Sequence, residues 1–265
     1  MVVLTKLEPY SDSDGNRIDY AGPSLENVKI VFSGSNNILT VARTASLGRF
    51  VVEFNCSNGI VEVGSSRGVP AFSATVRVGE DSRVLIGDNV STTATCGISA
   101  TEGTTVSIGA DTMIASGVQL RADDGHPIFD VASGRRVNRS KDITIGDHVW
   151  LAVNSTVLGG AQVGSGTVVG FGSIVTKSLP NNCVAAGNPA RVVKRNTAWE
   201  RPHLSLVKPY YKLDASTVKR SDYWAPTVDL PQTSRRRGGV RRIAAALRAV
   251  VRSGSSAGVS DRAPG

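Results

Sequence analysis

The chain has 265 residues, 5% of them aromatic, with 28 glycines and a formal net charge of +8. Seven arginines and no acid fall in residues 235–252, so the remainder is much closer to neutral, and without an RNA- or DNA-binding motif the basicity is weak support for a nucleic-acid partner. The opening MVVLTKLEPY lacks a signal-peptide core and no apolar run approaches transmembrane length, so a cytoplasmic protein is expected.

Residues 1–27 are polar and are expected to form an irregular N-terminal cap. From Val28 to Gly103 short strand-like runs alternate with polar turns, and VGEDSR at Val78 and IGDNVS at Ile86 carry an aliphatic-Gly-acid corner signature. Residues 108–125 read IGADTM, IASGVQ, LRADDG, in a register of six. The register breaks over 126–142, HPIFDVASGRRVNRSKD, and returns at Ile143 or Ile145. From there aliphatics recur at Ile145, Leu151, Val157, Val163, Val169 and Val175. A period of six fits neither a helix nor a flat strand. It fits an all-β solenoid, a parallel β-helix in which each hexad forms one side of a triangular coil of about 18 residues. The solenoid is expected over 28–191, with the break as a loop leaving one corner; such loops usually carry function. Few aromatics suit a narrow shaft of Val, Ile and Leu.

Residues 192–234 mix prolines with Trp199, Tyr210, Tyr211, Tyr223 and Trp224, and are expected to pack back on the coils. Residues 235–265 form a basic tail, in which 240–252 read as a short helix with a narrow apolar stripe. Packing on the solenoid, lying on an anionic membrane and staying disordered compete as its role. Cys56, Cys96 and Cys183 are odd in number and have neither metal-ligand nor redox spacing; they read as buried thiols.

His is the side chain best suited to take a proton near neutral pH, and the chain has three: His126, His148 and His203. His126 stands where the coil gives way to the loop, before the stiffening Pro127, and 24 residues ahead of Trp150. One coil plus a detour brings the two to neighbouring levels. Asp130 and Asp124 are candidates to hold the second ring nitrogen of His126. His148 lies in the corner GDHVW and reads as structural. Arg135 and Arg136, mid-loop, are candidates to meet an acidic group. Gly164-Ser-Gly166 and Gly170-Phe-Gly172 fall on hexad corners and open no helix, so no dinucleotide site is expected.

Gly125-His126-Pro127, IGDHVW at 145–150, GSIVTK at 172–177 and AGNPAR at 186–191 together resemble the hexapeptide-repeat acyltransferases over about residues 78–195. The nearest flavour resembles sugar and capsular polysaccharide O-acetyltransferases. The resemblance implies a left-handed β-helix, a homotrimer with active sites between subunits, acetyl-CoA as donor and a saccharide hydroxyl as acceptor. It implies His126 as general base and Trp150 in acyl positioning. It places CoA along Trp150, Phe171, Lys177, Arg191 and Lys194, and no metal. The chain departs from the family at Phe171, where a small residue is usual. Another small acceptor (an antibiotic, an amino sugar or serine) or a non-catalytic scaffold are the alternatives.

Overall fold

The structure, a computed structural model, describes residues 1–229 and is a parallel β-solenoid with three faces. The first face stacks Val28–Phe32, Leu47–Phe54, Phe72–Val78, Cys96–Ala100, Gln119–Arg121, Thr156–Leu158 and Ile174–Val175. The second stacks Arg17–Tyr20, Ile38–Val41, Ile60–Val63, Arg83–Ile86, Thr105–Ile108, Ile143–Ile145 and Gln162–Val163. The third begins later, with Ser91–Thr92, Met113–Ile114, Trp150–Leu151, Val168–Val169 and Cys183–Ala186, and closes with the antiparallel strand Arg191–Arg195.

The hexad aliphatics fill the shaft: Ile145, Leu151, Val157, Val163, Val169 and Val175 are all buried. Thr144 pairs with Gln162, Trp150 with Val168 and Thr156 with Ile174, residue numbers differing by 18, as a coil of three hexads requires. The N-terminal coils are longer. Val28 pairs with Phe50, Ile38 with Ile60 and Gly97 with Gln119, each differing by 22. Their wider section encloses Phe32, Phe50, Phe54 and Phe72, all fully buried, with Phe32 and Phe54 stacked at 5.1 Å. The narrow aliphatic shaft expected throughout is therefore confined to the C-terminal coils.

Two further expectations are corrected. Residues 1–27 are not irregular: Arg17–Tyr20 already pairs in parallel with Ile38–Val41, and Val2–Leu4 runs antiparallel along Val28–Phe32, covering the exposed edge of the first coil. Cys96 and Cys183 are buried, but Cys56 sits exposed at a corner.

The corner between the second and third faces is turned by residues in the left-handed region: Asn89 (φ 57°), Asp111 (58°), His148 (52°), Gly166 (69°) and Asn182 (49°). Gly, Asn, Asp and His are the residue types most often found in this conformation, so each of the five suits the corner it turns. Of residues 192–229, Trp199 is buried against the solenoid, and a 3-10 turn covers Asp222–Trp224. The short helix over 240–252 and the basic tail lie outside the described residues. Among the described residues no helix is long and apolar enough to cross a membrane.

Candidate functional site

The excursion leaves the corner after Gln119–Arg121 and rejoins the second face at Ile143. It is a hairpin closed by its own side chains. Asn138 donates to the His126 carbonyl (2.8 Å) and to Asp124 Oδ2 (2.9 Å), and its Oδ1 accepts from Ile128 N–H (2.7 Å). At the tip Asp130 Oδ1 accepts from the Ser133 N–H (2.7 Å) and hydroxyl (2.6 Å). At the root Glu102 accepts from both terminal nitrogens of Arg136 and from the Ser140 N–H and hydroxyl. The Arg136 and Ser140 hydrogen bonds hold the Glu102 carboxyl down at about 2.

This frame fixes the backbone of His126 and leaves its side chain exposed. Asp130 is turned into its own loop tip and Asp124 towards Asn138, so the bonds they make are not to the imidazole. Arg136 is committed to Glu102, and Arg135 sits at the exposed tip. Beneath the loop a cavity of about 300 Å³ is lined by Asp124, Val137, Asn138, Leu158, Gly159 and Thr176.

Trp150 lies on the third face and points outward, since Leu151 beside it faces the shaft. His126 and Trp150 do occupy neighbouring levels, because Met113 pairs with Trp150 and Gln119 with Thr156. They stand at opposite ends of the second face, however. That side is about six residues long, roughly 20 Å at strand rise, so one copy does not bring them into one site. Phe171 is 73% exposed, at the turn between the third and first faces. Lys177 is exposed just past Ile174–Val175, in the corner column of the His126 loop two levels on. Arg191 and Lys194 are exposed on the closing strand.

Two clusters lie outside the expected catalytic set; the first was not anticipated from the sequence, and the second gives partners, Asp111 and Arg201, to the expected packing of the C-terminal segment and to the structural His148. Asp123, next to the loop root, is a buried carboxylate that accepts from Arg77 Nη2 (2.6 Å), Ser99 Oγ (2.5 Å) and Gly125 N–H (2.9 Å). Burial pushes its carboxyl up, but the Ser99 bond and the Arg77 charge outweigh that and leave it below the usual range. The only cue was the doubled acid in ADDG, which reads equally well as a solvated turn.

The second cluster clasps the C-terminal segment onto the solenoid. The buried His148 ring places Nδ1 2.6 Å from Asp111 Oδ2 and Nε2 3.0 Å from the Trp199 carbonyl. It stacks between Trp199 (4.2 Å) and Tyr223 (4.5 Å), while the Trp199 indole donates back to the His148 carbonyl (2.9 Å). Arg201 donates to Asp111 Oδ1 (2.6 Å), Ser91 Oγ (2.8 Å) and the carbonyls of Asp111 and Asn89. Trp199 also packs 5.9 Å from Trp150, so the segment reaches the third-face side of the site.

The family model for bacterial transferase hexapeptide (six repeats) matches residues 142–177. A polysialic acid O-acetyltransferase of Escherichia coli O1:K1 / APEC is 45% identical over 121 residues, covering 45% of this chain and 39% of that protein. A galactoside O-acetyltransferase of Escherichia coli K12 is 41% identical over 90 residues, covering 34% of this chain and 44% of that protein. The chain thus spans about four-tenths of the length of these two curated relatives. Among solved structures, the polySia-specific acetyltransferase NeuO is 34% identical with a TM-score of 0.60, the match covering 74% of this chain and 95% of that one.

Proposed function

Because this chain belongs to the hexapeptide-repeat acyltransferase family, we propose that it moves an acetyl group from acetyl-CoA to a hydroxyl of a saccharide, a cell-surface polysaccharide or its precursor. The observation that carries the reading is His126 itself: an exposed imidazole at the root of a braced loop, on a chain of which 74% matches the polySia-specific acetyltransferase NeuO.

The chemistry asked of His126 is proton transfer. An alcohol attacks a thioester poorly unless its proton leaves as the C–O bond forms. His126 takes that proton, the acceptor oxygen adds to the acetyl carbonyl, and the tetrahedral intermediate collapses with loss of the CoA thiolate. The proton on His126 then goes to the departing sulfur, which returns the imidazole to its starting state. A positioned base contributes about 10²–10⁴-fold. The intermediate's oxyanion needs a fixed donor, for which a backbone N–H or the Trp150 indole N–H qualifies.

Acetyl-CoA is anionic at one end and apolar along its arm. The exposed Lys177, Arg191 and Lys194 suit its phosphates, and the flat exposed Phe171 ring suits the arm. The distance between His126 and Trp150 within one chain supports a site assembled from two copies, His126 from one and Trp150 from the next, as a three-fold trimer provides.

The test is an acceptor screen with acetyl-CoA, following thiol release and base-labile acetyl on the product. Thiol release that depends on a saccharide supports the reading. Release no faster than with buffer across neutral and acidic saccharides overturns it. Sedimentation at micromolar concentration should give three times the 27.7 kDa chain mass.

A further inference from the structure

The outer surface of the first face, just before the His126 loop, carries two arginines two strands apart. Register sets Arg77 beside Ser99 and Ser99 beside Arg121, and all three project outward because Val76, Ile98 and Leu120 fill the shaft. The two guanidiniums are in different states. Arg77 spends Nε and Nη2 on Ser99 and Asp123. Asp123 is thereby engaged on both oxygens, and Arg121 Nη2 stands 3.8 Å from it, too far for a hydrogen bond. Arg121 Nε is buried with no hydrogen-bond partner among the described residues. The Arg121 side chain is 40% exposed, and its terminal nitrogens make no hydrogen bond among the described residues, so they are the donors open to a ligand.

The space in front of it is a cleft of about 460 Å³ lined by Glu53, Thr75, Arg77, Thr95, Gln119 and Arg121. Gly97 forms part of its floor; a side chain there would collide with Gln119 Oε1. The cleft adjoins the base, since Arg121 Nη2 lies 4.0 Å from where a Cβ on Gly125 would stand, and the next residue is His126.

We propose that this cleft is the acceptor subsite for an acidic saccharide, with Arg121 taking the sugar carboxylate and Arg77 flanking it. The proposal rests on the acetyltransferase reading above. A planar guanidinium with free N–H groups matches a carboxylate in a two-pronged contact, which a lysine does not reproduce. Glu53 and the Arg77-bound Asp123 offset the two arginines, so the surroundings are close to neutral overall and the pull on an anion is local, from the Arg121 guanidinium that no carboxylate hydrogen-bonds. A single carboxylate suits that better than the several charges of CoA. Thr75, Thr95, Gln119 and Glu53 supply donors and acceptors for ring hydroxyls. A carboxylate on Arg121 brings the ring that bears it next to the His126 loop. Of the loop arginines, Arg136 does not serve this role, because it is tied to Glu102.

The test separates binding from transfer. The full-length His126→Ala protein is titrated with oligomers of sialic acid and of hexuronic acid, each also in a carboxyl-reduced form. The expected result is at least tenfold tighter binding of the carboxylated form of one oligomer. Adding Arg121→Gln abolishes that preference and Arg121→Lys restores only part of it. Equal binding of charged and reduced forms, binding of neither, or a preference that survives Arg121→Gln overturns the proposal. The two readings fail in different ways. Carboxylate-dependent binding without acetyl transfer by the unmodified protein would remove the transferase and leave the subsite. Equal transfer to charged and reduced oligomers would remove the subsite and leave the transferase.

Discussion

Asp111→Asn is expected to release the C-terminal segment from the solenoid while the coils stay folded. Asp111 binds His148 through Oδ2 and Arg201 through Oδ1, both at 2.6 Å, and those two residues hold Trp199 and the chain around residue 201. An amide keeps the shape and removes the charge. A charge-assisted hydrogen bond contributes about 1.5–3 kcal/mol. Asp111 is 30% exposed, so screening trims the pair to about 2–3 kcal/mol, a shift of roughly 30- to 150-fold in the docking equilibrium. All three tryptophans report on it: Trp199 lies under the clasp, Trp150 packs against Trp199, and Trp224 donates to Glu200. Undocking should red-shift tryptophan emission and open residues 200–229 to protease, with far-UV circular dichroism unchanged. Arg201→Ala should do the same, and the double mutant should be less than additive by about 1 kcal/mol or more. The pH dependence follows in sign. Burial raises the Asp111 carboxyl, but the His148 bond and the Arg201 charge outweigh it, so the folded value lies below the free one. Its stabilisation is complete above the unfolded value near 4 and is lost as pH falls through the folded value, so the emission shift should appear only below about pH 4. Asp111→Asn should abolish that acid step. Unchanged emission and protease resistance in Asp111→Asn would show that the network does not hold the segment.

His126→Ala should lower turnover by about 10²-fold or more with the fold intact; near-normal turnover by circular-dichroism-verified protein would remove His126 as the base. Mixing His126→Ala with Trp150→Ala chains by co-refolding should restore activity in about a quarter of the inter-subunit sites if each site draws one residue from each of two copies. No recovery in confirmed mixed oligomers would place both residues in one copy's site. Glu102→Gln should loosen the loop, seen as faster cleavage within 128–137 and a several-fold loss of kcat/KM. The same loosening in the unmodified protein should set in as pH falls below the unfolded value of about 4 and be complete only once pH has passed about 2, where the Glu102 carboxyl is held. Maleimide should label one thiol quickly in native protein and three in denaturant. Cys56 is exposed, whereas burial pushes the Cys96 thiol up to about 12 and raises Cys183 too.

The C-terminal coils were legible because their period is simple. When each side is six residues and one aliphatic per side fills the shaft, Ile145, Leu151 and Val157 announce the fold unaided. The N-terminal coils obey the same physics with a different length. Twenty-two residues is not a multiple of six, the third side carries no strand before Ser91–Thr92, and phenylalanines replace the single aliphatic, so the repeat dissolves into ordinary strand patterning. The 126–142 break was visible because the register around it was strict. The 1–27 strands were not, because pairing partners such as Val3 with Val31 lie on an antiparallel edge that no period encodes.

The site residues divide along the same line. His126 could be found because a proton acceptor at a break in a repeat is a local signal. Asp123, Arg77 and Ser99 could not, because their meaning lies in register: Arg77 and Asp123 are 46 residues apart and meet only once two coils have closed. The same applies to His148 and Trp199, 51 apart, and to Arg201 and Asp111, 90 apart. A faint cue did exist. The column Asn89, Asp111, His148, Gly166, Asn182 turns each coil with residues suited to positive φ. His148 is the one member of the column whose side chain is a large ring, and that ring is buried and stacked between two aromatics, so it is there for its side chain. That side chain binds the segment that carries Trp199 to Trp150, so one corner substitution couples the stability of the C-terminal segment to the third-face side of the proposed site. Chemistry confined to residues before Arg195, as the repeat alone suggests, would leave that coupling unexplained.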